Sequence, residues 1–144
     1  MPTPPPAAAF PPSAPASLPA SSAALISLVD PRCGDQMHWW LEADGFPQRI
    51  AGLLGAPLRS SGQPATTTLE LLEVFSPLPV LPAAAAHPAC RTAGYRYLLC
   101  GHRHGFRLSC WRQHPGTPGW QRRCGPMALP AFIRHFAAPR DASS

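Results

Sequence analysis

The chain has 144 residues, of which 13% are charged, and its formal net charge is +5. Without its Pro-, Ala- and Ser-rich start, about 115 residues remain, enough for one modest hydrophobic core. No apolar run approaches the roughly 20 residues that a membrane-spanning helix needs, so a membrane-embedded class is excluded and a soluble, cytoplasmic protein is predicted.

The basic residues are all arginine, since the sequence contains no Lys, and it contains no Asn either. Codons for both absent residues are AT-rich, so this bias is typical of a GC-rich coding sequence and is not by itself evidence for phosphate recognition. The same bias fits a recently arisen, largely disordered reading frame, for which no cooperative unfolding is expected.

Residues 1–31 form a leader with no charged residue between positions 2 and 29. Proline fixes φ and lacks an N–H donor, and the segment has too little apolar surface to offset the entropy of ordering. We therefore predict a disordered leader over 1–31, a single folded domain over 32–138 and a disordered tail over 139–144. The alternative is that Met37 is the true start of the protein.

Two short helices are predicted next. The first begins at Asp35 as N-cap and ends at Gly45. Its apolar residues at helical spacing are Met37, Trp40 and Leu41. Pro47 at the first position and Gly55 just past the end delimit the second helix.

The segment Thr66–Phe75 is ambiguous. Three consecutive Thr and the terminal Val-Phe favour a strand, whereas Thr67 and Glu70 form a capping-box pattern typical of a helix. We favour the strand. The residues Ala83–Ala86 are predicted to belong to a connecting loop.

A β-hairpin over Tyr95–Arg112 is the clearest local signal, with Gly101 and Gly105 around its tip. Pairing Cys100 with Gly105 leaves one face apolar and the other largely polar, so the pattern specifies the register. The apolar face then comprises Tyr95, Tyr97, Leu99, Phe106, Leu108 and Cys110.

A short strand at Trp120–Arg123 and a final helix complete the domain. The helix is indicated by Pro130 in its first turn and by an apolar stripe at positions 129, 132, 133 and 136. The fold class is α+β: a small antiparallel sheet, made of the 95–112 hairpin plus one or two strands, packed against two or three short helices.

The second half of the chain is basic, with nine Arg after residue 86 and Asp141 as its one acid. A basic surface with interleaved aromatic side chains is typical of single-strand binders. The candidate residues for a nucleic acid or another anionic partner are Arg96, Arg103, Arg107, Trp111, Arg112, Trp120, Arg122 and Arg123.

Cysteine and histidine are dense between positions 87 and 124. Zinc takes thiolate and neutral imidazole ligands, commonly four in a tetrahedron. The candidate ligands at the hairpin end are Cys100, His102, Cys110 and His114. Their spacing matches no standard zinc finger, and the hairpin register places the two cysteines on opposite faces. No other cofactor is predicted.

No glycine-rich phosphate loop, nucleophile elbow or zincin motif is present, so we predict a protein that is not an enzyme. We expect an accessory or regulatory protein that binds another protein, with Trp39 and Trp40 as candidate interface residues because aromatic side chains are enriched at interfaces. The alternative is a basic nucleic-acid-binding regulator with a structural zinc site.

Overall fold

The structure is a computed structural model that describes residues 22–30, 32, 34–103, 105–113 and 119–137. Within these residues the chain forms an α+β fold with a six-stranded mixed sheet and five helices. The strands are β1 (Ala24–Val29), β2 (Gln36–Leu41), β3 (Val80–Leu81), β4 (Tyr95–His102), β5 (Gly105–Arg112) and β6 (Gln121–Ala128). The helices are α1 (Pro47–Leu54), α2 (Ala56–Ser61), α3 (Thr68–Val74), α4 (Ala83–Thr92) and α5 (Leu129–Ala137). No helix in this part of the chain is long and apolar enough to cross a membrane.

The sheet has the strand order β3-β2-β1-β4-β5-β6. The central strand β1 pairs antiparallel with β2 and parallel with β4, while the remaining neighbours are antiparallel. The prediction of an antiparallel sheet is therefore wrong at β1·β4. A parallel pair requires a long crossover connection, and the segment that carries α1 to α4 provides it.

The predicted boundary of the disordered leader is wrong, because residues 22–30 belong to the fold. Residues 24–29 contain no proline and are almost completely buried as β1. A strand buried on both faces is a continuous apolar run without alternation, which the averaged composition of the leader concealed. The rest of the leader, residues 1–21, and the predicted tail, residues 139–144, lie outside the described residues.

The first predicted helix is also wrong, since residues 36–41 form β2. Met37, Trp39 and Leu41 point to one face of the sheet, where Trp39 is 1% exposed and packs on Phe75 with 4.9 Å between ring centroids. The spacing of the apolar residues fits a strand as well as a helix. Pairing with β1 stabilises the strand. The second predicted helix is confirmed as α1, which starts at Pro47 and has Gly55 as its C-cap.

Two further segments are helical where the sequence favoured other structure. The capping box formed by Thr67 and Glu70 is present in α3, so the favoured strand over Thr66–Phe75 is wrong and its helical alternative is correct. The hydroxyl of Thr67 accepts from the backbone N–H of Glu70 at 3.2 Å. The predicted loop at Ala83–Ala86 is the first turn of α4, where a run of alanine has the highest helix propensity.

The hairpin is confirmed, with one change of register. His102, not Cys100, pairs with Gly105. A shift of two residues keeps every side chain on its predicted face, so Tyr97, Leu99, Phe106, Leu108 and Cys110 are buried together. The predicted short strand extends to residue 128 as β6, and the final helix is confirmed as α5.

The main core lies on the face of the sheet that α1, α3 and α5 cover. It includes Ile26, Trp39, Tyr97, Phe75 and Phe132, each at most 1% exposed. On the opposite face, α4 packs against β1, β2 and β3 around Leu25 and Ala86. The arrangement of these helices leaves the corresponding face of β4, β5 and β6 accessible, which is where five of the eight predicted basic and aromatic residues lie.

Candidate functional site

A cross-strand row of three side chains marks the accessible face of β4, β5 and β6. Arg96 on β4 pairs with Trp111 on β5, which pairs with Arg122 on β6, so all three point to the same side. The guanidinium carbon of Arg122 lies 5.8 Å from the centroid of the Trp111 ring, within the range of a cation–π contact. Further along the same face lie Leu98 and Arg107, the latter exposed.

Two tryptophans frame a cavity on this face. The cavity has a volume of about 310 Å³ and is lined by Arg96, Leu98, Trp111 and Trp120. Both indoles are half-buried, so each presents part of its ring to solvent. We call these four residues the Trp cavity, and the Trp cavity together with Arg107 and Arg122 the Arg–Trp face.

The electrostatics of the Arg–Trp face are those of a cationic surface. The sequence has no Asp or Glu between Glu73 and Asp141, so β4, β5 and β6 contain no carboxylate that could neutralise these arginines. The guanidinium of Arg96 also donates to the Cys90 thiol on α4 at 3.4 Å, which fixes its position beside the Trp cavity.

The other predicted anion-binding residues lie elsewhere. Arg112 points to the core side of β5, where its guanidinium stacks on Tyr95 at 4.3 Å from the ring centroid. Arg103 is exposed in the turn of the hairpin, and Arg123 is exposed at the irregular pairing between β5 and β6. The structure therefore brings together five of the eight candidates and separates these three from them.

The predicted zinc ligands do not converge. Cys110 is fully buried on the core side of β5, whereas Cys100 lies on the opposite side of β4, paired with Arg107. His102 is at the exposed end of the hairpin, and His114 lies outside the described residues. Among the residues that the structure describes, no group of three or more His, Cys, Asp or Glu side chains could hold a metal ion.

Cys110 instead lies inside the core beside the Tyr97 hydroxyl and the Cys124 thiol. Burial raises the pKa of its thiol to about 12, and the pKa values of Tyr97 and Cys124 are also raised by burial. The Tyr97 hydroxyl donates to the backbone oxygen of Gly45 at 2.6 Å. The thiol is protonated and enclosed, so it is a packing residue and a poor nucleophile.

A second cavity lies beside the Trp cavity, under α4. It has a volume of about 190 Å³, and its lining includes His38, His87, Cys90 and Arg96, so Arg96 borders both cavities. His38 Nδ1 is hydrogen-bonded to the buried hydroxyl of Ser27 at 2.7 Å. Burial, with the nearby Arg96 guanidinium as a smaller cause, lowers the pKa of His38 and keeps the imidazole neutral near pH 7.

Sequence reasoning missed the pair of Ser27 and His38. Ser27 lies in the segment taken as leader, and its partner lies on a segment taken as a helix. No local signal joins them, because the contact depends on the pairing of β1 with β2. Ser27 is 1% exposed in the middle of a strand, so it orients the imidazole and is inaccessible to a substrate.

Of the two residues predicted for a protein interface, Trp39 is buried and Trp40 is half-buried. Trp39 is part of the main core, which is a correction to its predicted role. Trp40 packs on the cluster around Leu25, and its indole N–H donates to Glu42 at 2.9 Å. Trp40, Trp111 and Trp120 are thus the half-buried tryptophans of the described residues, and the last two lie on the Arg–Trp face.

Comparison of the chain with protein-family models, with curated proteins and with solved structures gave no match. The chemistry of the site therefore rests on its own geometry. Arginines and half-buried indoles on one face of a sheet can bind phosphates and stack on planar groups, which is a binding activity.

Proposed function

We propose that the protein is a non-enzymatic accessory protein that binds single-stranded nucleic acid on the Arg–Trp face. The observation that supports this proposal is the row Arg96–Trp111–Arg122, in which an indole stands between two guanidinium groups on neighbouring strands. A nucleotide offers the matching pair of groups, a planar base and a phosphate.

The charge distribution favours an anionic ligand. Arg107 and Arg122 are exposed, and no carboxylate of β4, β5 or β6 competes for them. Arginines that bind the phosphates of a nucleic acid release the counterions held there. The affinity for a single strand should therefore fall by about 0.7 log units per phosphate contact for each tenfold increase in salt concentration.

An unpaired strand fits this face better than a duplex. Stacking on an indole requires a base that is free of its own neighbours, which a duplex does not offer. The first of the two predicted short helices is β2, so those two segments do not form a helix pair that could enter a major groove.

The experiment is fluorescence anisotropy of a labelled oligothymidylate titrated with the full chain at several salt concentrations. Three contacts, from Arg96, Arg107 and Arg122, predict a slope of about −2 in the double-logarithmic plot. Replacing either Arg107 or Arg122 with Ala should make that slope less negative by about 0.7. The matched control is Arg134→Ala, an exposed arginine in the last turn of α5 on the other side of the sheet.

A second variant separates stacking from charge. Trp111→Leu keeps an apolar side chain beside Leu98 but removes the aromatic face. It should weaken binding about 5- to 150-fold, the equivalent of one stacked base, without changing the salt slope. Absence of binding at low salt, or equal binding of a duplex of the same length, would overturn the proposal.

A protein partner is the second candidate, and the Trp cavity favours it, since Trp and Arg dominate the energetics of protein interfaces. The test is a photo-crosslinking amino acid placed at Leu98 in cells that produce the protein. Leu69, which is 74% exposed on α3, is the control position. A discrete adduct at position 98 that nuclease leaves intact, with none at position 69, would support this candidate.

A further inference from the structure

The chain itself contains a segment whose composition suits the Trp cavity. Residues 2–19 lie outside the described residues and contain eight prolines and no charge. Proline-rich segments favour the extended polyproline II conformation, which needs little ordering on binding and docks in grooves lined by aromatic side chains. The two indoles and Leu98 are such a lining.

The hydrogen-bonding chemistry of the two sides is complementary. Each tryptophan carries one N–H donor and no acceptor on its indole. Proline has no backbone N–H, so the carbonyl oxygens of a proline-rich segment are left without partners inside that segment. An indole donating to such a carbonyl while its ring packs on a pyrrolidine satisfies both groups.

The register of the sheet places the start of β1 near the Trp cavity. β1 runs parallel to β4, with Ala24 beside Tyr95 and Leu25 beside Arg96, and Arg96 pairs with Trp111. The chain therefore enters β1 at the same end of the sheet as the Trp cavity. Ser22, before β1, accepts from the N–H groups of Gly45 and Asp44, so a connection to the Trp cavity starts at residue 21. Two strand spacings separate β1 from β5, about 10 Å, and each residue in the polyproline II conformation spans about 3 Å, so the chain before residue 21 is long enough to reach the Trp cavity.

We propose that the proline-rich segment 2–19 docks into the Trp cavity of its own chain. This inference goes beyond the proposed function and does not depend on it, because the occupant is neutral and carries no phosphate. It also makes the segment a competitor of any ligand that uses Trp111.

The test uses the full chain and a full-length variant in which Pro4, Pro5, Pro6, Pro11 and Pro12 are replaced by Ala. The readout is the NMR signals of the four indole N–H groups, each assigned by a single Trp→Phe substitution. The signals of Trp111 and Trp120 should shift in the proline variant. The signal of Trp39, which is buried in the main core, is the internal control and should stay in place.

A synthetic peptide of residues 1–21, added to the proline variant, should restore the original signals of Trp111 and Trp120 in a saturable way, equally at low and high salt. Unchanged signals of both tryptophans in the proline variant would overturn the proposal. Signals that depend on protein concentration would also overturn it, because the occupant would then be the segment of a second copy. No nucleic acid is present in this experiment, so its outcome is independent of the oligonucleotide titration.

Discussion

Replacing Tyr97 with Phe tests the contact that ties β4 to the loop after β2. The hydroxyl of Tyr97, which is fully buried, donates to the backbone oxygen of Gly45. A Cβ at Gly45 would lie 2.5 Å from the Cβ of Ala24, so the loop is packed directly on β1, and Gly45 is itself buried. Loss of the donor should therefore leave a buried acceptor unsatisfied, at a cost of about 1–3 kcal/mol.

The assay is urea denaturation followed by tryptophan fluorescence. The matched control is Tyr95→Phe, in which the half-buried ring keeps its contact with Arg112, and its free energy of unfolding should stay within about 0.5 kcal/mol of the parent protein. If Tyr97→Phe costs no more than the control, the hydrogen bond is not formed. A transition without cooperativity in the parent chain would refute the fold itself and favour a disordered reading frame.

Three further predictions concern stability and reactivity. Thr67→Ala should lower the free energy of unfolding by about 1 kcal/mol because the cap of α3 is lost, while Thr67→Ser should retain it; both are measured by urea denaturation. Iodoacetamide should modify Cys110 last, after the half-buried Cys100, because the Cys110 thiol is buried and its pKa is raised; equal rates by mass spectrometry would place that thiol outside the core. The free energy of unfolding should fall as the pH drops below about 6.5, because His38 in the unfolded chain binds a proton that the folded His38, with its lowered pKa, does not. The His38→Gln variant should show a weaker dependence of the urea midpoint on pH. An unchanged dependence would contradict the lowered pKa of His38.

The parts of the fold that the sequence predicts correctly are those with local signals. Pro47 and Gly55 delimit α1, and the apolar stripe from Leu129 defines α5, with no information from the rest of the chain. The hairpin is predictable for the same reason, because its two strands are adjacent in sequence. Its alternation also places Arg96, Arg107 and Trp111 on one face, so the centre of the Arg–Trp face could be predicted.

The parts that the sequence does not predict depend on distant pairing. β1 is buried on both faces, and its apolar run can be distinguished from a signal-like or linker segment only through its partners β2 and β4. The pair Ser27–His38 is lost with it. A chain that began at Met37 would lack β1 and leave β2 and β4 without their shared neighbour.

The central position of β1 also has a consequence for synthesis on the ribosome. β1 emerges before β4, its parallel partner, which is translated only after the whole crossover has been made. Pairings between distant segments form slowly because the intervening chain must first be ordered. Until then one edge of β1 is open, with Leu25, Ile26 and Leu28 available to other chains, so the nascent polypeptide passes through an interval in which aggregation competes with closure of the sheet.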